Sequence, residues 1–264
     1  MNKNIQQRYL VARDIIQQAG KEALSFYLNR NNLEIIYKKG EKQDLVSIAD
    51  KTVESIIKSA VQQAFPDDGF LGEESGAQDV TKDFCWVVDP IDGTSPFLYG
   101  LNAWCISIAV LYRGDIVIGL IYDPQHDELF HCTKGNGAYL NKTAIQCADA
   151  HSLTDGLMGL GVSHRVSPQT FTPFLDYVLK NGGMFIRNGS GALMCAYVAA
   201  GRLIGYYEPH INSWDCLAGI LLVEEAGGKA NAFLDNDGLL KGNPILVSAA
   251  GIFAELDELK NSIL

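Results

Sequence analysis

The part of the chain that decides the fold is the stretch Trp86-Val87-Val88-Asp89-Pro90-Ile91-Asp92-Gly93-Thr94. Apolar residues from Phe84 to Val88 predict a buried strand, which delivers Asp89 to its end. Pro90 restricts the backbone there, and we expect a tight turn to return Asp92 to the same side. The stretch therefore predicts a buried sheet with two carboxylates at the end of one strand.

The first half of the chain combines helices with short strands. Apolar residues at helical spacing predict one helix over Ile5–Leu28 and a second helix that Pro66 stops. Ser47 and Asp50 form a capping-box pattern at the start of the second helix. Apolar runs between turn residues predict the strands Phe84–Val88, Cys105–Tyr112, Ile116–Tyr122 and Glu128–Cys132. This half is typical of the α+β class.

Beyond Gly156 the chain alternates between strands and helices. The patterns predict strands near Leu157, at Met184–Ile186 and at Leu203–Tyr207. They predict helices at Thr170–Leu179, Ala192–Ala200 and Trp214–Glu225. Such alternation predicts an α/β second half. We therefore expect two domains, residues 1–150 and 151–264, with a boundary at residues 145–155.

Composition and charge exclude several classes of protein. The 264 residues are 47% apolar, and no apolar run approaches the roughly 18 residues that a membrane span needs. The polar N-terminal segment lacks the apolar core of a secretory signal, so we expect a cytoplasmic protein. A net charge of −10 without a basic stripe argues against nucleic-acid binding. The cysteines stand singly, which argues against a zinc or redox site. The histidines share no spacing typical of metal ligands, so we expect them at the surface or in loops.

Four acidic residues lie close to apolar segments, namely Glu73, Asp89, Asp92 and Asp215. Taken singly, an aspartate at a strand end is usually a turn residue, and one near a helix start is usually a cap. If the four converged, they would repel one another unless a cation stood between them. Carboxylate oxygens select hard cations such as Mg²⁺ or Mn²⁺ over zinc. Spacing alone does not decide between a set of local turns and a shared metal site.

Several motifs follow one another along the chain. They are Gly72-Glu73-Glu74-Ser75, Asp89-Pro90-Ile91-Asp92-Gly93-Thr94, Gly135-Asn136-Gly137-Ala138-Tyr139-Leu140-Asn141, Gly189-Ser190-Gly191-Ala192-Leu193 and Trp214-Asp215-Cys216-Leu217-Ala218-Gly219, the last running on to Glu225-Ala226-Gly227-Gly228. Through these motifs, the chain from Asp44 to Gly228 resembles the inositol monophosphatase family. The resemblance implies a layered αβαβα sandwich and a magnesium-dependent, lithium-sensitive phosphatase that forms homodimers.

The resemblance also implies roles for individual residues. Two or three magnesium ions, with manganese as an alternative, would be bound by Glu73, Asp89, the Ile91 carbonyl, Asp92 and Asp215. Thr94, with Glu73, would orient and deprotonate the attacking water, and Asp50 would support a water on the metal. The Gly93 and Thr94 amides would hold the phosphate. The other substrate contacts would come from Asp92, Gly191, Glu208 and Asp215.

Two positions depart from the family's pattern without removing a predicted metal ligand. Pro96 cannot donate a backbone hydrogen bond to a phosphate, and Met194 stands where many relatives carry Asp or Asn. The resemblance implies a small phosphorylated polyol or sugar as substrate, and myo-inositol 1-phosphate is favoured. Histidinol phosphate, fructose 1,6-bisphosphate and a 3′-phosphonucleotide stay open, as does a non-catalytic regulatory protein on the same fold.

Overall fold

The structure, a computed structural model, describes residues 3–32, 35–37, 45–163 and 165–263, so that Asp44 and His164 lie outside the described residues. The helices are α1 (Lys3–Leu28), α2 (Ile48–Ala64), α3 (Thr94–Tyr99), α4 (Pro168–Lys180), α5 (Gly191–Ala199), α6 (Ser213–Glu225), α7 (Gly238–Lys241) and α8 (Phe253–Ile263). The strands are β1 (Ile35–Tyr37), β2 (Leu45–Ser47), β3 (Gly69–Gly72), β4 (Gly76–Gln78), β5 (Phe84–Asp92), β6 (Cys105–Tyr112), β7 (Asp115–Asp123), β8 (Glu128–Thr133), β9 (Ala138–Leu140), β10 (Thr143–Ile145), β11 (Leu157–Leu160), β12 (Met184–Ile186), β13 (Gly205–Ile211), β14 (Lys229–Ala230) and β15 (Asn243–Ser248).

Two main sheets form the frame of the molecule, and β1 and β2 make a separate pair. The larger sheet has eight strands in the order β10-β9-β8-β7-β6-β5-β3-β4, in which β3 and β5 run parallel. The smaller sheet has five strands in the order β12-β11-β13-β15-β14, in which β11 runs parallel to β12 and β13. The larger sheet ends at Ile145 and the smaller begins at Leu157. The division of the chain into two domains stays a prediction.

Buried side chains stack these elements into five layers, which confirms the expected αβαβα sandwich. Helices α1 and α2 cover one face of the larger sheet through a core that includes Ile16, Ile57 and Trp86. Helices α5 and α6 fill the space between the two sheets. Helices α4 and α8 cover the outer face of the smaller sheet around Phe174 and Leu256. Since α6 is buried continuously from Cys216 to Val223, it belongs to a middle layer rather than to a surface.

The local signals around α2 are confirmed. The Ser47 hydroxyl accepts a hydrogen bond from the Ala49 N–H at 3.1 Å, and the Asp50 carboxylate accepts one from the Ser47 N–H at 2.8 Å. These are the two halves of the predicted capping box, and the helix ends just before Phe65 and Pro66. Because Asp50 is committed to this cap, its carboxylate has a fixed orientation.

One prediction about the histidines is wrong. His131 is buried in β8, where Nδ1 lies 2.8 Å from the Tyr9 hydroxyl and Nε2 lies 2.8 Å from the Asn141 carbonyl oxygen. A histidine whose two ring nitrogens both have hydrogen-bond partners can be buried at little cost, so a polar side chain at this position does not require the surface.

Among the helices of the described residues, none is both long and apolar enough to cross a membrane.

Candidate active site

Strand β5 carries the first two acids of the site. Its pairing with β6 joins Asp89 to Ser107 and Asp92 to Cys105, so that a step of three residues on β5 opposes a step of two on β6. The extra residue is a β-bulge, which turns both carboxylates toward one side. The predicted tight turn between the two aspartates is therefore wrong, because the strand continues through both. Asp89 is buried, and its Oδ1 accepts a hydrogen bond from the Ile91 N–H at 2.9 Å.

Asp92 connects the larger sheet to helix α5. Its Oδ2 accepts hydrogen bonds of 2.6 Å from the Ser190 hydroxyl and from the Ala192 N–H. The Ala192 N–H is one of the first N–H groups of the helix, which have no partner inside the helix and which favour negative charge. Asp92 thereby holds the start of α5, with the Gly191 amide, beside the end of β5.

Asp215 reaches the same point from helix α6. It is the third residue of the helix and accepts hydrogen bonds from the Asn212 N–H at 3.2 Å and from the Asn212 side chain at 3.3 Å. The Asp89 carboxyl lies beside it and donates a hydrogen bond to Asp215 when Asp89 is protonated. One carboxylate oxygen from each of Asp89, Asp92 and Asp215 lies within 4.8 Å of the other two. The structure therefore brings these three acids together from elements that are far apart in the sequence.

Glu73 enters the site directly after β3, the parallel neighbour of β5. Its N–H donates to the Val88 carbonyl oxygen at 3.2 Å, and its side chain lines the same cavity as the three aspartates. The turn that follows is held by Glu54 of α2, whose carboxylate accepts hydrogen bonds of 2.8 Å from the N–H groups of Glu74 and Ser75. Glu54 therefore fixes the backbone that presents Glu73.

Glu54 is not among the residues predicted above, although the sequence holds a signal for it. Glu54 is 3% exposed and lies on the face of α2 that also buries Val53, Ile57 and Val61. An acidic residue among the apolar positions of an amphipathic helix needs buried partners. One turn earlier, Asp50 occupies the same face for the same reason.

The Thr94 hydroxyl lies between Asp50 and the end of β5. It is 3.3 Å from Asp50 Oδ1 and 3.1 Å from the Ile91 carbonyl oxygen. The family resemblance pairs Thr94 with Glu73, and in the structure the hydrogen-bond partners of the Thr94 hydroxyl are Asp50 and the Ile91 carbonyl. Gly93 precedes it with φ of 91°, a left-handed conformation, and a Cβ there would stand 2.5 Å from the Ala103 carbonyl oxygen. Only glycine fits this position, and Gly93 and Thr94 both line the cavity.

The cavity extends from these acids to Glu208 on β13 and has a volume of about 620 Å³. The Tyr206 hydroxyl donates a hydrogen bond to the Glu208 carboxylate. Gly161 leaves room for this pair, because a Cβ there would overlap the carboxylate. Gly191 and Met194 line the same cavity from helix α5. All the residues assigned to metal and substrate therefore line one cavity, and Asp50 stands behind Thr94.

Comparison with known proteins places this fold and cavity among relatives. A model of the “Inositol monophosphatase family” matches residues 4–261. The chain belongs to the inositol monophosphatase family. It is 39% identical to an inositol-1-monophosphatase of Mesorhizobium japonicum over 215 residues, which cover 78% of this chain and 81% of that protein. It is 37% identical to the Nus factor SuhB of Xylella fastidiosa over 214 residues, which cover 80% of this chain and 77% of that protein.

A solved structure shows the same architecture. The extragenic suppressor protein suhB of Bartonella henselae superposes with a TM-score of 0.87 at 35% identity, covering 95% of this chain and 96% of that one. The chain therefore shares its overall fold with the Bartonella protein, as expected for a member of the inositol monophosphatase family.

The charge of the cluster fits the metal dependence of the inositol monophosphatase family. Burial, and then repulsion from Asp215, raises the pKa of Asp92 to about 7, while the Ser190 and Ala192 hydrogen bonds lower it. Burial likewise raises the pKa of Asp215 to about 7, and burial with repulsion from Glu73 raises the pKa of Asp89 well above its ordinary value. Ionised carboxylates at these positions need nearby positive charge. Their oxygens form a donor set that hard divalent cations prefer, so the cluster fits such a metal.

Proposed function

We propose that the protein hydrolyses a small phosphate monoester in a magnesium-dependent reaction, with myo-inositol 1-phosphate as the favoured substrate. The observation that carries this proposal is the convergence of Asp89, Asp92 and Asp215 within 4.8 Å in a cavity that Glu73 and Thr94 also line. Membership of the inositol monophosphatase family supports it independently.

The metal would be held by the carboxylates of Glu73, Asp89, Asp92 and Asp215 and by the Ile91 carbonyl. Divalent cations bound there would supply Lewis acidity, which lowers the pKa of water and offsets the charge of the phosphate. Glu54 accepts a hydrogen bond from the backbone next to Glu73, and Asn212 donates one to the Asp215 carboxylate. These hydrogen bonds orient Glu73 and Asp215 as metal ligands.

Thr94 and Asp50 form the path for the proton of the attacking water. When the Thr94 hydroxyl donates to Asp50 Oδ1, its oxygen is free to accept a hydrogen bond from water on the cavity side. Burial raises the pKa of Asp50 to about 7, with a further rise from Glu73, so that Asp50 is matched to accept a proton near neutral pH. Glu73, which lines the same cavity, orients the water.

The phosphate and the alcohol contact different walls of the cavity. The N–H groups of Gly93 and Thr94 hold phosphate oxygens at the start of α3. Asp92 and Asp215 contact the oxygen that leaves, and the Gly191 amide and Glu208 contact the hydroxyls of the polyol. Pro96 offers no N–H, so its backbone adds no hydrogen bond to the phosphate beyond Gly93 and Thr94.

A panel of phosphate esters tests the proposal. Phosphate release would be measured from myo-inositol 1-phosphate, histidinol phosphate, fructose 1,6-bisphosphate and a 3′-phosphonucleotide, each with Mg²⁺. We expect the highest kcat/KM with myo-inositol 1-phosphate. Release from none of them would contradict the proposal, whereas a different best substrate would correct only its substrate.

Some relatives carry the name Nus factor SuhB rather than inositol-1-monophosphatase, which favours a second candidate, a non-catalytic regulatory protein on the same fold. A regulatory role without catalysis gives no reason to keep four acids on one cavity. The absence of nucleic-acid binding, the cytoplasmic location and the homodimer stay predictions; gel filtration with light scattering would test the last.

A further inference from the structure

The sequence contains asparagine directly before glycine at Asn136-Gly137, Asn181-Gly182 and Asn188-Gly189. At such a pair the backbone nitrogen of the glycine can attack the side-chain amide of the asparagine, because no Cβ on the glycine obstructs ring closure. Asn136 and Asn181 are exposed, the first after strand β8 and the second after helix α4. Asn188 is partly buried and lines the cavity just before helix α5. One of the three pairs therefore lies in the candidate active site.

The three pairs differ at the glycine nitrogen, which is the attacking atom. The Gly137 N–H donates to the Glu225 carboxylate at 2.8 Å, and the Gly182 N–H donates to the Leu179 carbonyl oxygen at 3.2 Å. Among the described residues, no acceptor takes the Gly189 N–H. A nitrogen that is held by an acceptor must first break that hydrogen bond before it turns toward the side chain. The Gly189 nitrogen has no such bond to break.

The Asn188 side chain is also held differently from the other two. The Nδ2 groups of Asn136 and Asn181 donate to backbone carbonyl oxygens at 3.0 and 2.9 Å, whereas the Asn188 Oδ1 accepts a hydrogen bond from the Ser190 N–H at 2.9 Å. Within the described part of the chain, the Asn188 Nδ2 group has no acceptor. Negative charge develops on Oδ1 during attack on the amide carbon, and an N–H directed at that oxygen stabilises it. The Ser190 N–H therefore activates the Asn188 amide.

We propose that Asn188 is a site of spontaneous deamidation, which introduces a further carboxylate into the cavity. A base in the solvent removes the Gly189 amide proton, and the nitrogen lone pair forms a bond to the Asn188 Cγ. The protonated base returns its proton to Nδ2, the Cγ–Nδ2 bond breaks, and ammonia leaves a five-membered succinimide. Water then opens the ring. Cleavage at Cγ gives aspartate, and cleavage at the backbone carbonyl carbon gives isoaspartate.

Both products change the cavity at the start of α5. The Asn188 Oδ1 holds the backbone of Ser190, whose hydroxyl donates to Asp92 at 2.6 Å. Isoaspartate lengthens the main chain by one methylene before Gly189, which shifts Ser190 away from Asp92. Aspartate keeps the main chain but adds negative charge to a cavity already lined by carboxylates, and this charge repels a phosphate ester. The effect on catalysis rests on the proposed function, whereas the deamidation itself does not.

Peptide mapping by mass spectrometry tests the modification site without an activity assay. The full-length protein would be kept at pH 8 and at pH 5, below its unfolding temperature, and sampled over days. Replacement of NH₂ by OH at each asparagine is read from the mass, and isoaspartate from electron-transfer fragmentation. A sample unfolded in urea gives the rates without the fold.

Two variants accompany the wild type. Asn188→Ser removes the reactive amide and keeps a hydroxyl oxygen that can accept the Ser190 N–H. A change at Gly189 is unsuitable, because its φ is 97° and a Cβ there would stand 2.9 Å from the Pro96 side chain. Asn136→Ser is the matched control, since it removes an exposed asparagine–glycine pair outside the cavity.

In the folded protein at pH 8, we expect Asn188 to deamidate about tenfold faster than Asn136 or Asn181. A tenfold ratio corresponds to about 1.4 kcal/mol, which is within the range of the hydrogen bonds that the other two pairs must break. The three rates should converge in urea, and the Asn188 rate should fall at pH 5 because attack requires loss of the Gly189 amide proton. Magnesium-dependent phosphate release should decline with the modified fraction in the wild type and in Asn136→Ser, and Asn188→Ser should keep its starting rate.

Equal rates at the three asparagines of the folded protein, or an unmodified Asn188 beside converted Asn136 and Asn181, would overturn the modification site and leave the proposed phosphatase intact. Conversion of Asn188 with unchanged phosphate release would overturn its effect on the cavity. Fresh protein that releases phosphate from no ester would overturn the proposed function and not the modification site, which the mass measurement decides.

Discussion

Replacing Asp89 with asparagine is expected to stabilise the metal-free protein. The new side-chain oxygen keeps the hydrogen bond from the Ile91 N–H, and the new amide group donates to Asp215 without needing a proton. In the wild type, burial and repulsion from Glu73 and Asp215 raise the pKa of Asp89 above its unfolded value of 3.8. A carboxyl whose pKa is raised on folding contributes stability at low pH, and this stability is lost as the pH rises toward and through the folded value.

The size of the effect follows from the hydrogen bond between the two carboxyl groups. A hydrogen bond to a charged group contributes about 1.5–3 kcal/mol to the free energy of unfolding. Above neutral pH, the wild type either loses the Asp89–Asp215 hydrogen bond or must keep Asp89 protonated to retain it. For a protein of roughly this size, each kcal/mol shifts Tm by about 2–4 °C. Asp89→Asn should therefore raise Tm by about 3–12 °C at pH 8 in EDTA.

Thermal unfolding by circular dichroism at pH 8 and at pH 5 provides the assay. The gain at pH 8 should shrink at pH 5, where the wild-type carboxyls are already protonated. Mg²⁺ should raise the Tm of the wild type and not that of the variant, since a ligand stabilises only the state that binds it. Asp83→Asn, a change in an exposed surface pair, is the control. A variant less stable than the wild type at pH 8, or equal gains at both pH values, would refute this reasoning.

Three further predictions concern the residues around the acids. Glu54→Gln removes one acceptor from the turn that follows Glu73, so the Mg²⁺ concentration for half-maximal activity should rise about tenfold, equivalent to about 1.4 kcal/mol; an unchanged Mg²⁺ titration would contradict this. Thr94→Ala should lower kcat about 10²- to 10⁴-fold, whereas Thr94→Ser should keep most of it, and steady-state rates that fall equally in both would exclude a role for the hydroxyl. Because Asp50 accepts the proton only when ionised, kcat/KM should fall as the pH drops below about 7. If the pH–rate profile of Asp50→Asn falls with the same slope, Asp50 is not the proton acceptor.

Local features of the fold could be predicted because their causes are local. The capping box of Ser47 and Asp50 requires only a hydroxyl and an acid three residues apart before an apolar helix. The strands β5 to β8 follow from apolar runs between turn residues, and the sequence predicted their cores to within a few residues. The bulge between Asp89 and Asp92 could not be found this way, since it depends on the register with β6.

Convergence of the site could not be derived from spacing. Asp92 binds Ser190 and Ala192 across about a hundred residues, and Asp215 meets Asp89 from another helix. Only the resemblance to the inositol monophosphatase family joined these segments before the structure did. Contacts of that kind are fixed by the packing of α5 and α6 between the two sheets, which no short stretch of sequence encodes.

The most direct test of the central claim is phosphate release from myo-inositol 1-phosphate by the wild type and by Asp92→Asn, with Mg²⁺ and with EDTA. The account predicts release by the wild type with Mg²⁺, none with EDTA, and recovery when Mg²⁺ is added back. It predicts little release by Asp92→Asn under any of these conditions. Release that persists in EDTA, or a variant as active as the wild type, would contradict the assignment of the acid cluster as a metal-dependent catalytic site.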